Sequence, residues 1–275
     1  MKIKRKYTHD NKRPIWRILP TETGKLIVEE REKDDKQVYF NCLNIESGKK
    51  IFKNFQLEEK FWIGIEAVYN DVIYFHKFVK PDMPQHIGII AMNLNEQKIL
   101  WENFKSSFLF IWKEKVYCFQ QMFEGRKYFS LDYESGELIE DFGEDAEKIN
   151  EEKKELDGSN PFSDYLFPIS YNSNIDAPAN LKEIFQKLRN DHTFSGNIEF
   201  VQKNNLLLFN FNIVNSEGNL SNKFKALDLS SGKYIFEETL IKETKTFVPD
   251  SFFVKDDLLF LLFGKNRLSV YSIMD

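Results

Sequence analysis

Four times this sequence writes a short apolar strand, a polar turn and a second apolar strand in one order: LNIESGKKIF (43–52), MNLNEQKILW (92–101), LDYESGELIE (131–140) and LDLSSGKYIF (227–236). Each copy sets an Asn or Asp between two larger residues, follows it with the turn, and resumes with apolar residues. In three copies the turn carries Ser47-Gly48, Ser135-Gly136 or Ser231-Gly232, and glycine supplies the positive φ a tight hairpin needs. The copy with Glu96-Gln97 has no glycine there and is expected to turn differently.

A second hairpin precedes these copies, with return strands beginning at Leu26, Val72, Val116, Leu206 and Leu258 in TETGKLIVEE, VYNDVIYFHK, KEKVYCFQQ, QKNNLLLFNF and VKDDLLFLLF. These starts are spaced 46, 44, 90 and 52 residues apart, and the markers Asn44, Asn93, Asp132, Asp228 and Ser272 are spaced 49, 39, 96 and 44. Two independent markers therefore agree on a period in the forties with one double gap. A unit of four short antiparallel strands cannot bury both faces alone, so copies must stack in a ring, which is the β-propeller solution.

The expected fold is all-β, a five-bladed β-propeller in a single domain over 1–275. The fifth copy, SFFVKDDLLFLLFGKNRLSVYSIMD, stops after its third strand, and KIKRKYT (2–8) has the alternation to close it as the missing strand. Lys2, Lys4, Arg5, Lys6, Lys12 and Arg13 then read as charges that protect an outermost strand, rather than as a nucleic-acid arm. Residues 143–195 lack both hairpin markers and are read as an insertion: an acidic loop, then a short helix with Leu181, Ile184, Phe185 and Leu188 on one face behind an Asn180 cap. The alternative is a degenerate sixth blade hidden there.

Composition excludes several classes. The 27 Phe and 11 Tyr suit pleated surfaces, and the net charge of −5 leaves no basic face for nucleic acid. GEDAEKINEEKKELDG (143–158), with seven acids and three bases, supplies most of that charge. No membrane span or secretory signal is read, and Cys42 and Cys118 fit neither a disulfide framework nor a CxxC site, so buried free thiols in a cytoplasmic, monomeric protein are expected. Nucleophile elbows and phosphate-binding glycine loops are absent, and no cofactor is expected.

The blade pattern resembles that of pyrroloquinoline-quinone-type and WD-type propellers, in the repeat alone. More narrowly, PIWRILPTETGKLIVEERE (14–32), WIGIEAV (62–68) and KPDMPQHIGIIAMNL (80–94) resemble the N-terminal half of an uncharacterised bacterial family, a domain of unknown function, over roughly the first 140 residues. That resemblance implies no catalytic residue and no redox cofactor.

The most distinctive stretch is HKFVKPDMPQHIG, a Pro-stiffened connection carrying His76, Asp82 and His86. Those three could ligate a metal, but their spacing matches no zinc or iron pattern, so loop-stabilising hydrogen bonds are expected and a metal is not. Channel-lining candidates are Trp16, Arg17, Trp62, Glu66, Trp112 and Glu199; Glu66, an acid in an apolar strand, is expected to pair, with Arg17 a plausible partner. VEERE (28–32) reads as a solvated strand. The expected function is a non-enzymatic platform for a protein or peptide partner, using the acidic insertion and the Pro-rich loop. The alternative is a small-ligand or enzymatic site formed by Arg17, Trp62, Glu66, His76, Asp82 and His86.

Overall fold

A computed structural model describes residues 1–79, 83–159, 163–171, 179–191, 193–215, 217–246 and 250–274. The chain divides into two compact units, Arg13–Pro161 and Met1–Lys12 with Phe162–Asp275. Strand β1 (Lys2–Asp10) belongs to the second of these and is taken up below.

The Arg13–Pro161 unit holds three antiparallel sheets in chain order. The first is β2 (Ile15–Pro20), β3 (Lys25–Glu32), β4 (Gln37–Asn44) and β5 (Lys50–Phe55); the second is β6 (Ile63–Tyr69), β7 (Val72–Phe78), β8 (His86–Asn93) and β9 (Lys98–Asn103). The third is β10 (Ser107–Trp112), β11 (Lys115–Met122), β12 (Gly125–Asp132) and β13 (Leu138–Gly143). Because strand side chains alternate between faces, the middle sheet is apolar on both. Ile73, Phe75, Ile90 and Met92 pack with Ile27, Phe40 and Cys42 of the first sheet. Val72, Tyr74, Ile89 and Ala91 pack with Val116, Cys118 and Leu131 of the third.

The acidic insertion is not a loop. Residues Ala146–Gly158 form helix α1, because Asp145 caps it by accepting from the Glu147 and Lys148 amides and because Glu and Lys are strong helix formers. Its buried Ile149 sits with Phe110, Tyr117 and Phe142 of the third sheet.

The remaining elements are β14 (Tyr165–Leu166), β15 (Ile169–Tyr171), α2 (Ala179–Asp191), β16 (Phe194–Lys203), β17 (Leu206–Val214), β18 (Leu220–Asp228), β19 (Lys233–Thr244), β20 (Phe252–Lys255), β21 (Leu258–Phe263) and β22 (Arg267–Met274). One sheet runs β15-β16-β17-β18-β19, and the other runs β1-β22-β21-β20-β14. The N-terminal strand does complete the last hairpin set, paired from Lys2 opposite Met274 to Asp10 opposite Arg267 with one register shift between Arg5 and Tyr7. A short strand, β14, was not foreseen on the opposite edge. Val201, Leu208 and Phe224 pack against Phe252, Leu259 and Leu261 between the two sheets. On the other face of the β16–β19 hairpins, Leu181, Phe185 and Leu188 of α2 meet Ile198, Phe209 and Phe211, as their helical spacing requires.

The repeated turn is a side-chain device. Asn44, Asn93, Asp132 and Asp228 each accept a backbone amide with Oδ1 (Ser47, Glu96, Ser135 and Ser230), while their carbonyls accept from residues 48, 97, 136 and 232 at 2.8–3.0 Å. The Glu96-Gln97 copy departs from its expectation: it makes the same turn, with Gln97 itself in the left-handed region at φ 56°. Gln97→Gly therefore stabilises the protein, because relief of about 1–2 kcal/mol of left-handed strain outweighs about 0.5–1 kcal/mol of added freedom in the unfolded chain. Gly232→Gln, at φ 66° with open space around its α-carbon, shifts the urea midpoint the opposite way. The hydroxyls of Ser230 and Ser231, with the amides behind them, hold the Asp228 carboxyl at about 2. Since that value lies below the ordinary 3.8, the turn's contribution is full above pH 3.8 and is lost as pH falls through about 2. A carboxyl-carbon NMR titration reads the low value directly, and Ser230→Ala raises it.

Candidate functional site

Glu66, His76 and His86 come together on the second sheet, with one ligating atom from each lying within 4.8 Å of the others. Two bulges bring this about. The pairing of β6 with β7 slips between Ile65 and Ala67, leaving Glu66 as the extra residue, and that of β7 with β8 slips between Phe75 and Lys77, where His76 alone faces Gly88 and Ile89 and the extra residue lies on β8, two positions after His86. A bulge re-aims a side chain that regular alternation would send elsewhere.

His86 Nδ1 bonds Glu66 Oε1 at 2.9 Å, and His76 Nδ1 lies 3.2 Å from the same oxygen. The second approach is a longer, ion-pair contact, and His76 Nε2 has no hydrogen-bond partner among the described residues. The two imidazoles stack, centroids 3.4 Å apart and planes within 8°. Phe78 stands edge-on to both rings, and Trp62 stands edge-on to Phe78. Burial runs outward: His76 is 2% exposed, the Glu66 side chain 14% and the His86 side chain 41%.

Burial alone pushes the Glu66 carboxyl up, but His76 and His86 beside it outweigh that and hold it below the usual carboxylate range. Burial pushes the His76 imidazole down, with His86 and Arg17 adding to the effect against the pull of Glu66. An ionised carboxylate therefore faces a neutral, buried imidazole.

The support is rigid. His76 lies opposite Gly64, where a β-carbon would sit 2.7 Å from His76 Cε1, so only glycine leaves room for the ring. Arg31 donates to the Phe61 and Ile63 carbonyls, and Arg17 donates to the Ile65 carbonyl, fixing alternate carbonyls along β6. Glu29, 1% exposed, pairs with Arg31 at 2.6 Å and lies 4.0 Å from Arg17. The Ser107 hydroxyl holds the His86 carbonyl at 3.0 Å.

Glu66 thus pairs with the histidines and not with Arg17, because the bulge turns it toward β7 and β8 while Glu29 takes the guanidinium. VEERE is not solvated: Glu29 and Glu30 are buried against Arg31 and Arg13, whose guanidinium groups offset their charge. Asp82 lies outside the described residues. Trp16 is exposed, and Glu199 is buried in the other unit. Gly64, Glu29 and Arg31 were not singled out from sequence, although a lone glycine within WIGIEAV is a signal of close approach. Gly64→Ala destabilises by about 1–3 kcal/mol. His76→Ala removes the clash, so the double variant costs less than the sum of the singles, a coupling of about 1 kcal/mol in a denaturation cycle; additive costs would show that Gly64 does not serve the ring.

Residues 19–101, which span the site and its support except Arg17 and Ser107, match the model of a family described as a domain of unknown function, DUF4905. No curated protein matches the chain. Among solved structures, the chain is similar to a member of the DUF4221 family from Bacteroides vulgatus, with 11% identity, a TM-score of 0.27, and coverage of 94% of this chain and 77% of that one. A eukaryotic initiation factor gives 9% identity and a TM-score of 0.35 over 94% of this chain and 52% of that one. Sqt1 of Saccharomyces cerevisiae gives 7% and 0.29 over the whole of both chains. At such TM-scores these likenesses carry no argument. No helix among the described residues is long and apolar enough to cross a membrane.

Proposed function

We propose that the chain is a five-bladed propeller, built from the five sheets, that binds a small polar ligand at the Glu66–His76–His86 cluster on the second blade. The observation that supports this most is His76, a buried imidazole whose Nε2 has no hydrogen-bond partner among the described residues and whose Nδ1 has only a 3.2 Å contact to a carboxylate, beside a half-exposed histidine. A buried unsatisfied polar group costs about 1–3 kcal/mol, and a phenyl ring would fill the same space without that cost. Such an arrangement is the signature of a site held ready for something that arrives past His86.

The competing platform reading takes the acidic insertion and the Pro-rich loop as its contact elements. The charges of α1 are partly engaged within its own unit, through Lys113 with Glu155 and Lys148 with Glu140, which weakens that reading. The cytoplasm as its compartment is supported by Cys42 and Cys118, buried and free, with burial pushing the Cys42 thiol up to about 12.

A thermal-shift panel of dicarboxylates, amino acids, nucleotides and divalent cations tests the proposal, since a ligand at one hundred times its Kd adds about 2.7 kcal/mol of stability. At least one compound should raise the Tm of the wild type and leave Glu66→Gln and His86→Ala unmoved. Silence across the panel, or equal shifts in all three proteins, would overturn it.

A further inference from the structure

We infer that the ligand is a divalent transition metal of the zinc type, held by the Glu66 carboxylate and the imidazoles of His76 and His86. This rests on the ligand-site reading above and narrows it to one chemistry.

Three features favour a metal over an organic ligand. The donor set is one carboxylate oxygen and two imidazole nitrogens, the combination that zinc and iron sites use when they keep a coordination position open. The spacing is near what such an ion demands: bonds of about 2.0–2.2 Å place neighbouring donors roughly 3–3.5 Å apart. Glu66 Oε1 already lies 2.9 and 3.2 Å from the two Nδ1 atoms, but the rings are stacked in parallel, so His86, at the start of its strand and half exposed, has to turn out of the stack for both nitrogens to aim at one ion. Finally, His76 has no hydrogen-bond partner among the described residues beyond the 3.2 Å contact with Glu66, itself a proposed ligand, so a cation would supply the contact that its buried ring lacks. An organic ligand would need to reach a nitrogen that is covered by His86 and by the strand at Gly64. A bare ion is small enough to do so.

Nearby positive charge opposes this only in part, through Arg17 near His76. Arg31 and Arg17 flank β6, but Glu29 is placed between their guanidinium groups, and both spend donors on the carbonyls of residues 61, 63 and 65. The cluster keeps the Glu66 charge for the ion. Two nitrogen donors in three select against Mg2+ and Ca2+, which take oxygen ligands. Three protein ligands leave at least one coordination position for water, on the side where His86 meets solvent.

The test is a titration of the full chain, stripped with EDTA and dialysed, with Co2+ followed by displacement with Zn2+. Visible d–d bands should rise to one equivalent and vanish on zinc addition, while Mg2+ and Ca2+ leave the protein unchanged. His86→Ala, at an exposed position that folding tolerates, should weaken Co2+ binding by at least about 100-fold, since loss of even a supporting outer-shell partner costs 10–100-fold. Glu66→Gln, which keeps the shape of the side chain, should do the same, and both variants should keep the wild-type circular dichroism. Absence of cobalt bands, or bands unchanged in both variants, would overturn the metal assignment. If a dicarboxylate, amino acid or nucleotide still stabilises the wild type alone, the ligand site stands and only the metal falls. Silence from every probe removes both.

Discussion

Burial of both faces of a thin sheet is the constraint from which the rest of this protein follows. A sheet of four short strands has two apolar surfaces and cannot shield either by itself. The middle sheet of the Arg13–Pro161 unit meets that demand with Ile73 and Phe75 on one side and Val72 and Tyr74 on the other. In the second unit, the β16–β19 hairpins are covered by a neighbouring sheet on one face and by α2 on the other. Charged groups that fall within such layers need a local counter-charge, which is why Glu29 and Glu30 lie against arginines and why Glu66 lies against two imidazoles.

The repeat was legible because it is written in turn chemistry. An Asn or Asp that ties down the amides after it, followed by a residue in the left-handed region, is a local device, and local devices survive in the sequence. The closing strand was legible for a related reason: an incomplete last hairpin set implies a missing edge. The acidic run was misread because charge density was taken for solvation. Asp145 as a cap, with Ile149 and Leu156 seven apart, marks a helix docked by one side.

The site was legible only as separate residues. Glu66, His76 and His86 drew notice for their chemistry, but their convergence depends on two register slips that no period-two reading anticipates. Once a bulge intervenes, alternation stops reporting which face a side chain takes. The partners chosen by Glu66 and Arg17 were exchanged for the same reason. Gly64 was the one residue whose identity announced the geometry, through the absence of a side chain.

The pairing of β1 with β22 joins strands that lie far apart in the sequence. During synthesis, β1 has to wait without this hydrogen-bonding neighbour until β22 has been made. Its dense lysines and arginines suit that interval, since mutual repulsion discourages pairing with another nascent chain. The sheet that holds both strands thus closes late, after the strands between them have been made.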